Sequence, residues 1–152
     1  MDTPARRRFV SLLAGLAAAP LLPPRAARAQ ADPLRLLVQK VTGGAAVGAG
    51  RVTVDTPRLS DNGNSVPLKV SVESPMTTTD YVRSITLLSE RNPRPIIAKF
   101  HLGPLAGRAE VVTRVRLNGS QRLLALAQLA DGSYWSGSAE VEVTESACLD
   151  AS

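Results

Sequence analysis

A chain of 152 residues, 44% hydrophobic and 20% charged, has the length and composition of one globular domain. Its 18 basic and 13 acidic side chains give a net charge of +5, but five of the arginines and one of the acids fall within residues 1–29. The remaining 13 basic and 12 acidic groups nearly cancel, and Tyr81, Phe100, Tyr134 and Trp135 do not interleave with basic residues, which excludes a nucleic-acid-binding surface.

The chain starts as an export signal. Arg6-Arg7-Arg8 precedes Phe9 and Val10, an apolar stretch runs from Ser11 to Leu22, and Ala27-Arg28-Ala29 supplies the small residues of a cleavage site. About a dozen apolar residues are too few for a membrane span of ~20, so no membrane anchor is expected. The arginine pair places the leader, residues 1–29, in the twin-arginine class that exports folded cargo from bacteria.

After the cut a short helix is expected. Asp32 can cap it, Pro33 suits its first turn, and Leu34, Leu37, Val38 and Val41 recur at helical spacing. Thr42-Gly43-Gly44 ends it, because glycine tolerates the left-handed conformation beyond a C-terminus. From Val52 on, the period is two. Val52 and Val54 alternate with polar residues, as do Val66, Leu68, Val70 and Val72, then Ile96, Ala98, Phe100 and Leu102. Val111, Thr113, Val115 and Leu117 follow, and Ala139, Val141 and Val143 close the series.

Turn signals punctuate these runs at Asp61-Asn62-Gly63-Asn64, Asn92-Pro93, Gly103-Pro104, Asn118-Gly119 and Asp131-Gly132, the last inside a hairpin joining Leu123–Ala130 to Ser133–Thr144. About seven short strands at this spacing predict an all-β fold, an immunoglobulin-like antiparallel β-sandwich with a short N-terminal helix. The sandwich is assigned to residues 30–144, and 145–152 reads as a flexible arm without periodicity.

Few residues offer chemistry. The sequence has no phosphate-binding glycine loop and no His/Cys set at metal-ligand spacing, so neither cofactor nor metal is expected. His101, the only histidine, is offset from the apolar face of its run and reads as a solvated strand residue. Met76 reads as a core filler, Trp135 and Tyr134 as core and rim, and Glu140 with Glu142 as a solvated strand face. Cys148 is the only cysteine. No internal disulfide is possible, and an unpaired cysteine in an exported protein is buried, bonded to another chain, or kept for chemistry. It follows the last alternating strand, in a tail with no base, oxyanion donor or pocket nearby. If that tail is free from Val143, the sulfur can project roughly 15 Å at ~3.3 Å per residue. Such a thiol suits being acted on by other proteins rather than catalysis.

Several stretches resemble one family, the thiosulfate-oxidation carrier protein SoxY. They are Thr42-Gly43-Gly44, Asp61-Asn62-Gly63-Asn64-Ser65-Val66-Pro67, Ser71-Val72-Glu73-Ser74-Pro75-Met76-Thr77, Phe100-His101, Ala109-Glu110-Val111, Thr113-Arg114-Val115-Arg116-Leu117 and Ala130-Asp131-Gly132-Ser133. The resemblance implies a periplasmic immunoglobulin-like sandwich that is not an enzyme and pairs with a SoxZ-like subunit as a heterodimer. Sulfur intermediates would be attached covalently to Cys148 and passed to the enzymes of the Sox pathway. The family's arm ends Gly-Gly-Cys-Gly-Gly, whereas here it reads Ser146-Ala147-Cys148-Leu149-Asp150-Ala151-Ser152. Ala147 and Leu149 add bulk on both sides of the sulfur, while Glu145 and Asp150 add charge that disfavours a thiolate. Two rival readings follow. One is a divergent interaction subunit that pairs with a partner without shuttling substrate, and the other a thiol enzyme using Cys148 with His101.

Overall fold

The computed structural model describes residues 32–146. The leader at 1–29 and Cys148 lie outside the described residues.

Helix α1 spans Pro33–Thr42. The Asp32 carboxylate accepts the Leu34 N–H at 3.1 Å, and Gly43 closes the helix in the left-handed conformation at φ 65°. The strands are β1 (Val47–Ala49), β2 (Val52–Asp55), β3 (Leu59–Asn62), β4 (Val66–Val72), β5 (Val82–Ser89), β6 (Ile96–His101), β7 (Glu110–Val115), β8 (Gln121–Leu129) and β9 (Tyr134–Glu145). A short 3-10 turn, Pro104–Ala106, lies between β6 and β7. One sheet has the order β1-β9-β8-β5-β6, with β3 also on β9, and the other has the order β2-β4-β7.

The two sheets bury a shared apolar layer. Val66, Leu68 and Val70 of β4 and Val111 and Val115 of β7 meet Ile85 and Leu87 of β5, Leu123, Ala125, Ala127 and Leu129 of β8, and Val141 of β9. Burying a side chain of this size stabilises the fold by about 1.5–3 kcal/mol, so the period-two pattern fixes which face of each strand turns inward. Met76 also belongs to this core, although its φ of 52° is uncommon outside glycine. Helix α1 contacts β5, and Leu34 is fully buried. The outer face of the larger sheet is closed there too, since Leu88 and Leu126 are buried outside the inter-sheet core.

The expected helix, its cap and the Asp131-Gly132 hairpin between β8 and β9 are present. Three strands were not anticipated. Strand β5, which pairs with both β6 and β8, is buried from Ser84 to Ser89 without interruption, and its alternation, Ser84-Ile85-Thr86-Leu87, ends after four residues at Leu88. Strands β1 and β3 are short, and both join β9 in parallel, where only antiparallel pairing was expected. Asp61 and Asn62, expected in a turn, belong to β3. Ile96 was expected on the inner face but is 47% exposed, because the β5–β6 register shifts between Leu87 and Leu88.

Candidate functional site

The direction of each strand defines the two ends of the sandwich. Strands β3, β5, β7 and β9 finish, and β4, β6 and β8 begin, at the same end. The loops after β3 (63–65), β5 (90–95) and β7 (116–120) therefore gather there, with the exit of the chain after β9.

That exit is held by a chain of polar contacts. The Gly63 N–H donates to the Glu145 carbonyl at 2.8 Å, and the Leu117 N–H donates to the Gly63 carbonyl at 2.8 Å. Gly63 is required because a Cβ there would stand 2.5 Å from the Leu117 oxygen and 2.9 Å from the Glu145 oxygen. The Thr144 hydroxyl donates to the Asp61 carbonyl at 2.8 Å, and the Ser120 hydroxyl accepts the Val143 N–H at 2.9 Å. The half-buried Ser146 donates its hydroxyl to Asn118 Oδ1 at 2.8 Å. The Asn118 N–H in turn donates to Asn92 Oδ1 at 2.9 Å, which also accepts from Gln121 Nε2 at 3.0 Å. Arg91 donates to the Ser120 carbonyl and Arg114 to Ser65, so two guanidinium groups flank the exit.

The pairing thus runs further than the alternation indicated. The arm was expected from residue 145, but Glu145 lies in β9 opposite Asn62, and Ser146 is hydrogen-bonded. Two residues of chain, not five, separate Cys148 from the last hydrogen-bonded position among the described residues, Ser146.

His101 is exposed at the end of β6, opposite Ser84 and at the other end of the sandwich from the exit. Running the length of β6 from the exit end covers about 17 Å at ~3.3 Å per residue, so the described structure does not bring the histidine toward the root of the arm. Glu140 and Glu142 are exposed on one face of β9 and line an open groove of about 840 Å³ together with Asp55, Arg58, Glu90 and Arg122. Arg122 is committed there: it binds Asp32 at 2.6 Å and lies 3.9 Å from Glu90. Its hydrogen bond holds the Asp32 carboxyl below the ordinary aspartate value, aided by the Leu34 N–H. The described residues contain no group of three or more His, Cys, Asp or Glu placed to hold a metal ion, and no helix among them is long and apolar enough to cross a membrane.

Sequence reasoning read Asn118-Gly119 and Asp61-Asn62-Gly63-Asn64 as turns and passed over Gln121 and Ser146. Their common role is to converge on the chain exit. The only signal for it was the clustering of Asn, Gly and Ser at the ends of three separate runs.

Fold and site together define an immunoglobulin-like sandwich whose polar loops clamp the last strand just before a tail bearing the sole cysteine. The chain belongs to the family described as sulfur oxidation protein SoxY, whose sequence pattern matches residues 38–148. No curated protein matches the chain. Among solved structures it is similar to the sulfur carrier protein SoxY from Chlorobium limicola f thiosulfatophilum, with a TM-score of 0.62 and 24% identity over 74% of this chain and 97% of that one. It is also similar to the superoxide reductase (neelaredoxin) of Ignicoccus hospitalis, with a TM-score of 0.55 and 19% identity over 62% of this chain and 80% of that one. The superoxide reductase of Nanoarchaeum equitans gives a TM-score of 0.53 and 12% identity, covering 63% and 100%. At these identities the structural likenesses define the shared fold alone.

Proposed function

We propose that this protein is a periplasmic, non-enzymatic carrier that holds thiosulfate-derived sulfur intermediates covalently on Cys148 and presents them to Sox enzymes. The observation that carries this reading is the reach of the family match, whose last residue is Cys148. The geometry agrees with it. The sandwich gathers ordered loops around Glu145 and Ser146, the described residues nearest to Cys148 along the chain, and the one histidine lies at the other end. Joining thiosulfate to the thiolate makes an S–S bond and removes two electrons, which the loading enzyme takes up. Hydrolysis of the carried group would cleave its outer S–sulfonate bond, water releasing sulfate and the inner sulfur staying on Cys148. The S–S bond to Cys148 would be broken by thiolate exchange, which moves that sulfur to the attacking thiol. Export by the leader at 1–29 and pairing with a SoxZ-like subunit complete the proposal. The edge strand β6 would need such cover, as it exposes Ile96 with one backbone edge unpaired.

Intact-mass measurement of protein taken from cells oxidising reduced sulfur tests the assignment. Reductant-labile adducts are expected on wild-type protein and none on Cys148→Ser, which should keep its melting temperature. Adducts persisting in the serine variant would move the attachment site elsewhere. A disulfide-linked dimer as the sole modification would favour the non-shuttling subunit, a reading that the bulky Ala147 and Leu149 beside the sulfur already raise.

A further inference from the structure

The carrier reading leaves open how far the sulfur can travel, and the contacts at the chain exit address that. Ser146 is two residues before Cys148, and its hydroxyl hydrogen can point to one described acceptor, Asn118 Oδ1 at 2.8 Å. The Asn118 amide cannot turn over without loss, because its Nδ2 faces the Arg91 carbonyl at 3.4 Å. Its backbone is fixed through Asn92 Oδ1. The Asn92 amide is oriented in turn, with Nδ2 donating to the Arg116 carbonyl at 2.8 Å and Oδ1 receiving Gln121 Nε2. Gln121 is only 6% exposed, and its Oε1 accepts the Arg91 N–H at 3.0 Å. A buried amide with each end satisfied holds one orientation, so the acceptor offered to Ser146 is preorganised by loops 90–95 and 116–120 together with Gln121 at the start of β8.

We propose that Asn118 is a positioning residue for the carrier cysteine, an anchor that captures Ser146 and sets the origin and length of the arm. With the anchor closed, two residues separate Cys148 from the sandwich. With it open, the free segment starts after Glu145, whose carbonyl stays bound to Gly63, and its reach grows from roughly 7 to 10 Å at ~3.3 Å per residue. The net worth of one hydrogen bond is comparable to the conformational entropy of ordering one residue. Closed and open arms are therefore close in free energy, and a partner enzyme that draws the arm inward has little to overcome. This inference rests on the carrier reading for its meaning but not for its test.

Because Cys148 is the only cysteine, a methanethiosulfonate nitroxide placed on the otherwise native mature protein reports on the arm alone. The spectrum should contain a slow component. Asn118→Ala and, separately, Ser146→Ala should each shift population from slow to fast by roughly 2- to 10-fold, the range set by one net hydrogen bond. Ser146→Thr, which keeps the donor, should retain the slow component. A wild-type spectrum as fast as that of Ser146→Ala would overturn the anchor. So would loss of the slow component in Ser146→Thr as well, since the hydroxyl donor would then not be responsible. Ser146→Ala removes one hydroxyl at the rim and keeps the test open if Asn118→Ala folds poorly. Failure of the carrier reading would appear elsewhere, as absence of sulfur adducts on Cys148, whatever the nitroxide shows.

Discussion

Replacing Gly63 by alanine should loosen the end of the sandwich that holds the chain exit. The added methyl would stand 2.5 Å from the Leu117 carbonyl oxygen, where ordinary contact begins at 3.4 Å, so about 0.9 Å of separation must be found. The Glu145 oxygen, at 2.9 Å, demands about 0.5 Å more on the other side. Both oxygens belong to backbone, and Gly63 itself is bonded to both segments at 2.8 Å. Movement of that size stretches these bonds past the useful limit of about 3.2 Å. Losing two such bonds, one or both with a buried group left unpaired, costs about 2–4 kcal/mol. For a domain of this size that is a fall in Tm of roughly 8–16 °C, at about 4 °C per kcal/mol. Circular dichroism melts of Gly63→Ala should be compared with Gly103→Ala, whose Cβ meets nothing within 4 Å and whose φ of −131° suits any residue. The control should change stability by no more than about 0.5 kcal/mol. If the two variants melt within about 3 °C of each other, the close approach at Gly63 does not exist and the clamp built on it fails.

Asp32→Asn keeps a capping side chain but loses the charge that Arg122 binds. The Arg122 hydrogen bond lowers the folded-state pKa below the ordinary 3.8, so this stabilisation is present above that value and is lost as pH falls through the folded pKa. Urea midpoints of wild type and variant should differ most near neutral pH and converge in strong acid; a gap that stays constant with pH would assign the effect to packing. Exchanging Arg6 and Arg7 for lysine should hold the precursor in the cytoplasm, as followed by cell fractionation. Normal export of that variant would remove the twin-arginine route from the proposal.

Much of the fold was legible because one-sided burial writes itself into sequence as alternation. Val66 to Val72 of β4 show this: the apolar residues are buried and Pro67 and Lys69 between them are exposed. The same physics hides β5. Its inner residues Ile85 and Leu87 face the second sheet while Ser84, Thr86 and Leu88 are buried on the other side, so the alternation Ser84-Ile85-Thr86-Leu87 breaks at Leu88 and is too short to mark the strand. Strand β3 was illegible for the opposite reason. Leu59-Ser60-Asp61-Asn62 is mostly exposed, and its strand character comes from backbone pairing with Glu142, Val143 and Glu145, some 83 positions along the chain.

The candidate site divides in the same way. Cys148 could be singled out from sequence because its type and number are unusual, and chemistry follows from type. The anchor could not, because Asn118, Asn92 and Gln121 are ordinary turn and strand-start residues until topology brings them together. Ser146 meets Asn118 across 28 positions, and Asn92 meets Gln121 across 29. Each contact exists only because β5, β7 and β9 end where β6 and β8 begin. That arrangement constrains the proposed function. With Ser146 anchored, an enzyme acting on the proposed cargo two residues further on would work beside loops 63–65, 90–95 and 116–120. Recognition of the carrier and delivery of its cargo would then take place on one surface. Arg91 and Arg114 stand at that end, bound to backbone carbonyls and paired with no carboxylate among the described residues.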